Sequence, residues 1–126
     1  MGCDAVIIED EELVAFAMSM LLSDEGISVQ EAHTGEEGVE VVRREHPTVV
    51  LLDVRLPGID GWEVCRRIKG ENGNAPAVVF VTAATQFEDR VRAHQVGGDA
   101  FLAKPFETVE LVRTVKSFLE RAQESR

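Results

Sequence analysis

Three short, unbroken apolar runs constrain this chain more than any other feature: Ala5-Val6-Ile7-Ile8, Val49-Val50-Leu51-Leu52 and Ala77-Val78-Val79-Phe80-Val81. Such a run, without polar alternation, reads as a strand buried on both faces, the habit of parallel sheets covered by helices. Two weaker stretches, Ile27 to Ala32 and Ala100 to Ala103, suit edge strands. Helical patterns separate the runs. Glu11 to Ser23 offers Leu13, Phe16, Ala17, Met20 and Leu21 as its apolar stripe. Gly35 to Glu45 offers Val39 and Val42, and Asp60 to Lys69 offers Val64, Cys65 and Ile68. Phe87 to Val96 offers Phe87, Val91 and Val96. Glu107 to Ala122 offers Leu111, Val115, Phe118, Leu119 and Ala122.

The helix boundaries carry their own signals. Thr34-x-x-Glu37 and Thr85-x-x-Glu88 are capping-box patterns, and Asp60 is placed to cap the third helix. Gly26, Pro47 and Gly97-Gly98 supply stops. Strict alternation of strand and helix implies an α/β fold, with a doubly wound parallel sheet and right-handed crossovers. At 126 residues and 44% apolar composition, one domain with a real core is expected, spanning 1–126.

Charge narrows the partners. Lys and Arg total 13 against 23 Asp and Glu, a net charge of −10. Phosphate-rich partners would be repelled, so direct nucleic-acid binding and anionic-membrane binding are disfavoured. No apolar run reaches the ~20 residues of a membrane span, and no signal-peptide pattern opens the chain. The two cysteines, Cys3 and Cys65, are expected as reduced thiols of a cytoplasmic protein. His33, His46 and His94 have no metal-ligand spacing.

In a doubly wound sheet, sites form beyond the carboxyl ends of the strands. Glu9-Asp10-Glu11 follows the first run, Asp53 the second long run, Thr82 the third, and Lys104-Pro105 the last short stretch. Singly, each has a bland reading: a helix cap, a macrodipole complement, a turn residue, a solvated lysine. Jointly, they put the carboxylates of Glu9, Asp10 and Asp53, a hydroxyl and an ammonium on one rim. Clustered carboxylates ask for a counter-charge, and oxygen-only ligands suit Mg²⁺ or Mn²⁺ rather than zinc. The set reads as equipment for phosphoryl transfer, with an Asp carboxylate as nucleophile. No GxGxxG and no GxxxxGK[ST] occurs, which disfavours dinucleotide and nucleoside-triphosphate binding.

Four pieces, in order, carry a family resemblance from about Ala5 to about Leu119. They are Val6-Ile7-Ile8-Glu9-Asp10-Glu11, Leu51-Leu52-Asp53-Val54-Arg55-Leu56-Pro57-Gly58-Ile59-Asp60-Gly61, Val81-Thr82-Ala83 and Gly97-Gly98-Asp99-Ala100-Phe101-Leu102-Ala103-Lys104-Pro105-Phe106. The chain resembles the response-regulator receiver domain of two-component signalling. The resemblance implies a flavodoxin-like (βα)5 fold with strand order 2-1-3-4-5. It implies a signalling switch that is not an enzyme in its own right beyond promoting its own phosphorylation and dephosphorylation. Asp53 would be the phosphoacceptor, served by a phosphohistidine of a sensor histidine kinase or histidine phosphotransfer protein. Glu9, Asp10, Asp53 and the backbone carbonyl of Arg55 would hold Mg²⁺. Lys104, Thr82 and the N–H of Ala83 would contact the phosphoryl group, and Pro105 would follow a cis peptide.

The resemblance further implies that Thr82 and Phe101 move on phosphorylation. They would repack the surface of the fourth helix, fifth strand and fifth helix, a surface suited to homodimerisation. Departures from the common pattern are Glu9 for Asp, Phe101 for Tyr, a small Ala84 and a long cationic Arg55. The last two stand where phosphoryl lifetime is modulated, and Arg55 is expected to pair with Glu9 or to approach the phosphoryl group. Trp62, nine residues beyond Asp53, is expected to report on the site. Residues 120–126 are expected as a tail or the start of a linker, in a stand-alone receiver or a piece of a longer regulator. Three alternatives stand beside this reading. One is a phosphorylation-independent binding platform. Another is an aspartyl-nucleophile phosphatase, disfavoured because Arg55 occupies its acid/base position. The third is a flavin mononucleotide carrier, disfavoured by the absence of a Ser/Thr-rich phosphate loop.

Overall fold

The computed structural model describes residues 2–70 and 74–124. Its elements alternate without exception: β1 (Ala5–Ile8), α1 (Glu12–Ser23), β2 (Val29–Ala32), α2 (Gly35–Glu45), β3 (Val49–Leu52), α3 (Gly61–Gly70), β4 (Ala77–Thr82), α4 (Phe87–Gln95), β5 (Ala100–Ala103) and α5 (Thr108–Glu124). The strands form one parallel sheet in the order β2-β1-β3-β4-β5. This is the flavodoxin-like arrangement expected from the sequence. α5 runs through Glu124, and Ser125 and Arg126 lie outside the described residues.

Strand period-two geometry sorts the apolar runs onto two faces. Val6, Ile8, Val50, Leu52, Val78 and Phe80 pack under α2, α3 and α4, against Val39, Val42, Val64, Cys65, Ile68 and Ala93. Ala5, Ile7, Val49, Leu51, Val79, Val81 and Leu102 face α1 and α5, against Ala15, Met18, Leu22, Leu111 and Val115. β1 and β3 are therefore apolar at every position, and β4 at every position before its last residue, Thr82, because both faces are covered.

Two expected helix faces are corrected. α1 turns Ala15, Met18 and Leu22 inward, while Leu13, Phe16 and Met20 are 84%, 56% and 51% exposed. The helix carries apolar residues on more than one face; of the expected stripe Leu21 packs on the core, where Val14 joins it beside Ala15, Met18 and Leu22. On α4, Ala93 is the buried residue, and Phe87 and Val91 face solvent. Its capping box is formed by Gln86 and Asp89, one residue beyond the Thr85 and Glu88 pattern. The other caps stand where the sequence places them: Thr34 accepts from the N–H of Glu37, and Asp60 from that of Glu63.

Candidate functional site

Sheet register assembles the site. Ile8 is paired with Leu52, and Leu52 with Phe80, so β1, β3 and β4 run level toward their carboxyl ends. The next residues out remain tied to the ladder. The N–H of Glu9 donates to the carbonyl of Ala32 at 3.0 Å, that of Asp53 to Ile8 at 3.1 Å, and that of Lys104 to Thr82 at 2.9 Å. Glu9, Asp53 and Lys104 thus project from backbone that continues the ladder. The approach of α3 is equally close. The N–H of Gly61 donates to the carbonyl of Val54 at 2.8 Å, and a Cβ there would stand 2.3 Å from the carbonyl oxygen of Asp53. Only glycine admits that contact.

Lys104 bridges two carboxylates. Its Nζ donates to Asp53 Oδ2 at 2.8 Å and to Glu9 Oε1. Glu9 is 2% and Asp53 6% exposed, so both anions lie in a weakly screening environment. Glu9 Oε2 accepts the N–H of Glu11 at 3.1 Å, and Asp53 Oδ1 accepts that of Arg55 at 3.2 Å. Asp10 is exposed beside them, and ligand atoms of Glu9, Asp10 and Asp53 all lie within 4.8 Å of one another.

Two buried carboxylates thus share one half-buried ammonium, and the site holds its protons. Burial pushes the Glu9 carboxyl above its ordinary value, helped by the Asp53 charge and only partly offset by the Lys104 hydrogen bond. Burial alone would lower the Lys104 ammonium, but its bonds to Asp53 and Glu9 outweigh that and raise it. Burial sets the first direction and the two carboxylates set the second. An oxygen-only donor set with uncompensated charge fits a hard divalent cation such as Mg²⁺.

Above Asp53 lies a cavity of about 240 Å³, lined by Asp10, Glu11, Asp53, Arg55, Ala83 and Lys104. A larger hollow of about 390 Å³ at the opposite sheet end has no buried charge in its walls. Chemistry, not size, marks the site.

The other expected residues fall as follows. Thr82 is fully buried at the end of β4, and its Oγ1 accepts the N–H of Ala84 at 3.1 Å. Ala84 is buried in the core beneath, outside the cavity lining. The Lys104–Pro105 peptide is cis. Arg55 lines the cavity, but its guanidinium does not pair with Glu9, whose two oxygens are taken by Lys104 and the Glu11 N–H. Phe101 is half-buried, packed 6.5 Å from the ring of Phe80 with the Arg90 guanidinium 4.9 Å above it. Trp62 is buried against Phe80 with ring centroids 5.1 Å apart, and the Arg92 guanidinium lies 5.4 Å from the Trp62 ring. A chain of three rings therefore joins α3 to β5 through β4, and α4 caps it with two arginines.

Sequence reading missed two features of the rim. Glu11 lines the cavity instead of entering the helix. The exposed stripe of α1 borders a groove of about 390 Å³ formed by Leu13, Val14, Ala17, Lys104, Pro105 and Phe106. The signal for the second was present, since α1 carries more apolar positions than one face can bury.

Comparison with known proteins agrees with this geometry. The model of the response regulator receiver domain family matches residues 5–116. The chain is similar to a Chloroflexus aurantiacus protein described as a response regulator, at 30% identity and a TM-score of 0.87, covering 95% of this chain and 99% of that one. A BeF3-activated DrrB receiver domain is also 30% identical, with a TM-score of 0.84 and coverage of 95% and 99%. A CheY-like receiver domain protein from Methanospirillum hungatei shares the fold at 24% identity and a TM-score of 0.89, over 100% of both chains.

Proposed function

Because the chain belongs to the response-regulator receiver domain family, we propose that it is a phosphorylation-dependent signalling switch whose phosphoacceptor is Asp53. The observation that carries this reading is the Lys104 ammonium shared between Asp53 and Glu9 at the floor of the carboxylate cavity. An Asp carboxylate oxygen attacks the phosphorus of a phosphohistidine; the P–O bond forms as the P–N bond breaks, and the imidazole leaves and takes up a proton.

This chain's residues supply position and charge. Asp53 is oriented by the Arg55 N–H and by Lys104. Glu9, Asp10, Asp53 and the Arg55 carbonyl would hold Mg²⁺ or Mn²⁺, which neutralises phosphoryl oxygens when bound. Lys104 exchanges its Asp53 contact for a phosphoryl oxygen. Thr82 gives up its bond from Ala84 and donates its hydroxyl, and the Ala83 N–H, at the cavity wall, adds a donor. Arg55 overhangs the phosphoryl group and Ala84 leaves it unshielded, so both set how fast water removes it.

The phosphoryl group adds about −1.5 to −2 charge and three acceptors. Moving from ~1% to ~99% active needs a preference of ~5.5 kcal/mol, within reach of several charge-assisted hydrogen bonds. Thr82 moves toward the new charge, Phe101 turns inward along the ring chain, and the surface of α4, β5 and α5 changes. Phe87, Val91 and Val109, exposed on α4 and α5, suit that surface to pairing with a second copy.

The donor is a histidine kinase or histidine phosphotransfer protein, docked on the exposed α1 stripe. Leu13, at the edge of that stripe, lies beside the groove that Lys104 also lines. The protein works in the cytoplasm, as one domain with its core over about residues 5–119. It binds no nucleic acid directly, and no described helix is long and apolar enough to cross a membrane.

Incubation with Mg²⁺ and acetyl phosphate, followed by intact mass, tests the reading. A single phosphoryl adduct lost in Asp53→Asn and in chelator is expected. Turnover of varied phosphoesters would instead indicate a phosphatase, and no adduct from any donor a phosphorylation-independent platform.

A further inference from the structure

Glu11 occupies the N-cap of α1, where a short side chain normally accepts a helical N–H. The Glu11 side chain makes no such bond. Its backbone is nonetheless fixed: its N–H donates to Glu9 Oε2 at 3.1 Å, and its carbonyl accepts from Ala15 at 3.0 Å. The side chain is exposed and lines the cavity over Asp53. Glu12 already supplies the acidic complement to the helix dipole in the first turn. Glu11 therefore brings one more negative charge to a rim that already holds Glu9, Asp10 and Asp53, with no bond in return. A local rule broken without structural compensation points to function.

A carboxylate at the mouth acts on whatever approaches Asp53. A free phosphodonor arrives as an anion and must overcome it, and the work scales with the donor's charge. A protein donor seated on the apolar stripe of α1 draws its binding from contacts that this charge does not touch. We propose that Glu11 is a specificity-determining residue that filters phosphodonors by charge, slowing transfer from small polyanions while leaving a docked protein donor favoured. The proposal rests on the reading of Asp53 as phosphoacceptor.

The test compares the parent with Glu11→Gln at saturating Mg²⁺, using initial rates of adduct formation. The backbone bond to Glu9 survives this substitution. Acetyl phosphate, a dianion near neutral pH, and phosphoramidate, a net monoanion, are the donors. Because the Coulomb work doubles with the charge, the gain for acetyl phosphate should be the square of that for phosphoramidate, about four-fold against about two-fold at low salt. Both gains should shrink on going from ~0.01 M to ~0.15 M ionic strength, as the Debye length falls from ~30 Å to ~8 Å. Glu11→Asp should keep the parent's donor ratio.

A purely structural role would change both donors equally and without regard to salt, and that result overturns the proposal while leaving Asp53 as acceptor. A parent that takes no phosphoryl group from either donor removes the Asp53 reading and this proposal together.

Discussion

The two ends of the sheet treat charge in opposite ways. At the amino end, Asp4 and Ser28 exchange hydrogen bonds: the Asp4 N–H donates to Ser28 Oγ at 2.8 Å and the Ser28 N–H to Asp4 Oδ2 at 3.0 Å. Nearby, Lys116 pairs with Glu25, with side chains 47% and 39% exposed. At the carboxyl end, the Lys104 side chain is 15% exposed and those of its partners Glu9 and Asp53 only 2% and 8%. One end satisfies its polar groups singly and in water. The other keeps two carboxylates on one cation where water screens little. Paired, solvated charge is what a fold does with its loops, whereas buried and uncompensated charge marks the place prepared for a ligand.

The largest expected difference between the ends comes from removing the cations. Lys104→Met leaves two buried carboxylates unpaired and should cost ~3 kcal/mol of unfolding free energy in denaturant titrations without metal. A loss below what Lys116→Ala causes would erase the contrast. Metal should come next. Mg²⁺ at a hundred times its dissociation constant should stabilise the parent by ~2.7 kcal/mol, and Asp10→Ala should abolish most of that gain.

The pH dependence sharpens the comparison further. The Glu9 carboxyl is raised by burial above its ordinary 4.5. The folded chain therefore holds this proton more tightly than the unfolded chain. The stability Glu9 contributes is full below pH 4.5 and is lost as pH rises through the elevated folded value. Metal-free Glu9→Gln should lack that decline, and a parallel decline in both proteins would contradict the assignment to Glu9. At the amino end, Ser28→Ala should cost ~1 kcal/mol or less, because the Asp4 N–H keeps the Ser28 carbonyl at 3.1 Å. Lys116→Ala should change stability by only ~0.5 kcal/mol or less, as solvated pairs do.

Much of this was legible in residues alone, for a physical reason. Strands buried on both faces must be apolar throughout, so β1, β3 and β4 announce themselves, and the residue just after each run is displaced toward the carboxyl edge. Glu9, Asp53 and Thr82 follow from that rule. The Lys104 contact to Glu9 does not, because it joins residues 95 apart and depends on register. For α1 and α4 periodicity alone does not choose the buried face, because it counts apolar residues without knowing which of them the sheet covers. Leu13, Phe16, Met20 and Phe87 are exposed on those helices. The α4 cap slipped by one residue because Gln86 and Asp89 form a box with less usual partners than Thr85 and Glu88.

The central assignment is chemical, and the most direct measurement is chemical too. Borohydride reduces an acyl phosphate of aspartate to homoserine with release of phosphate, leaving a permanent mark at the acceptor. The chain should be phosphorylated with Mg²⁺ and a small donor, reduced, digested and sequenced by mass. The expected result is conversion of Asp53 alone, absent when the metal is chelated. Conversion of Asp10 or another carboxylate with Asp53 untouched would contradict it.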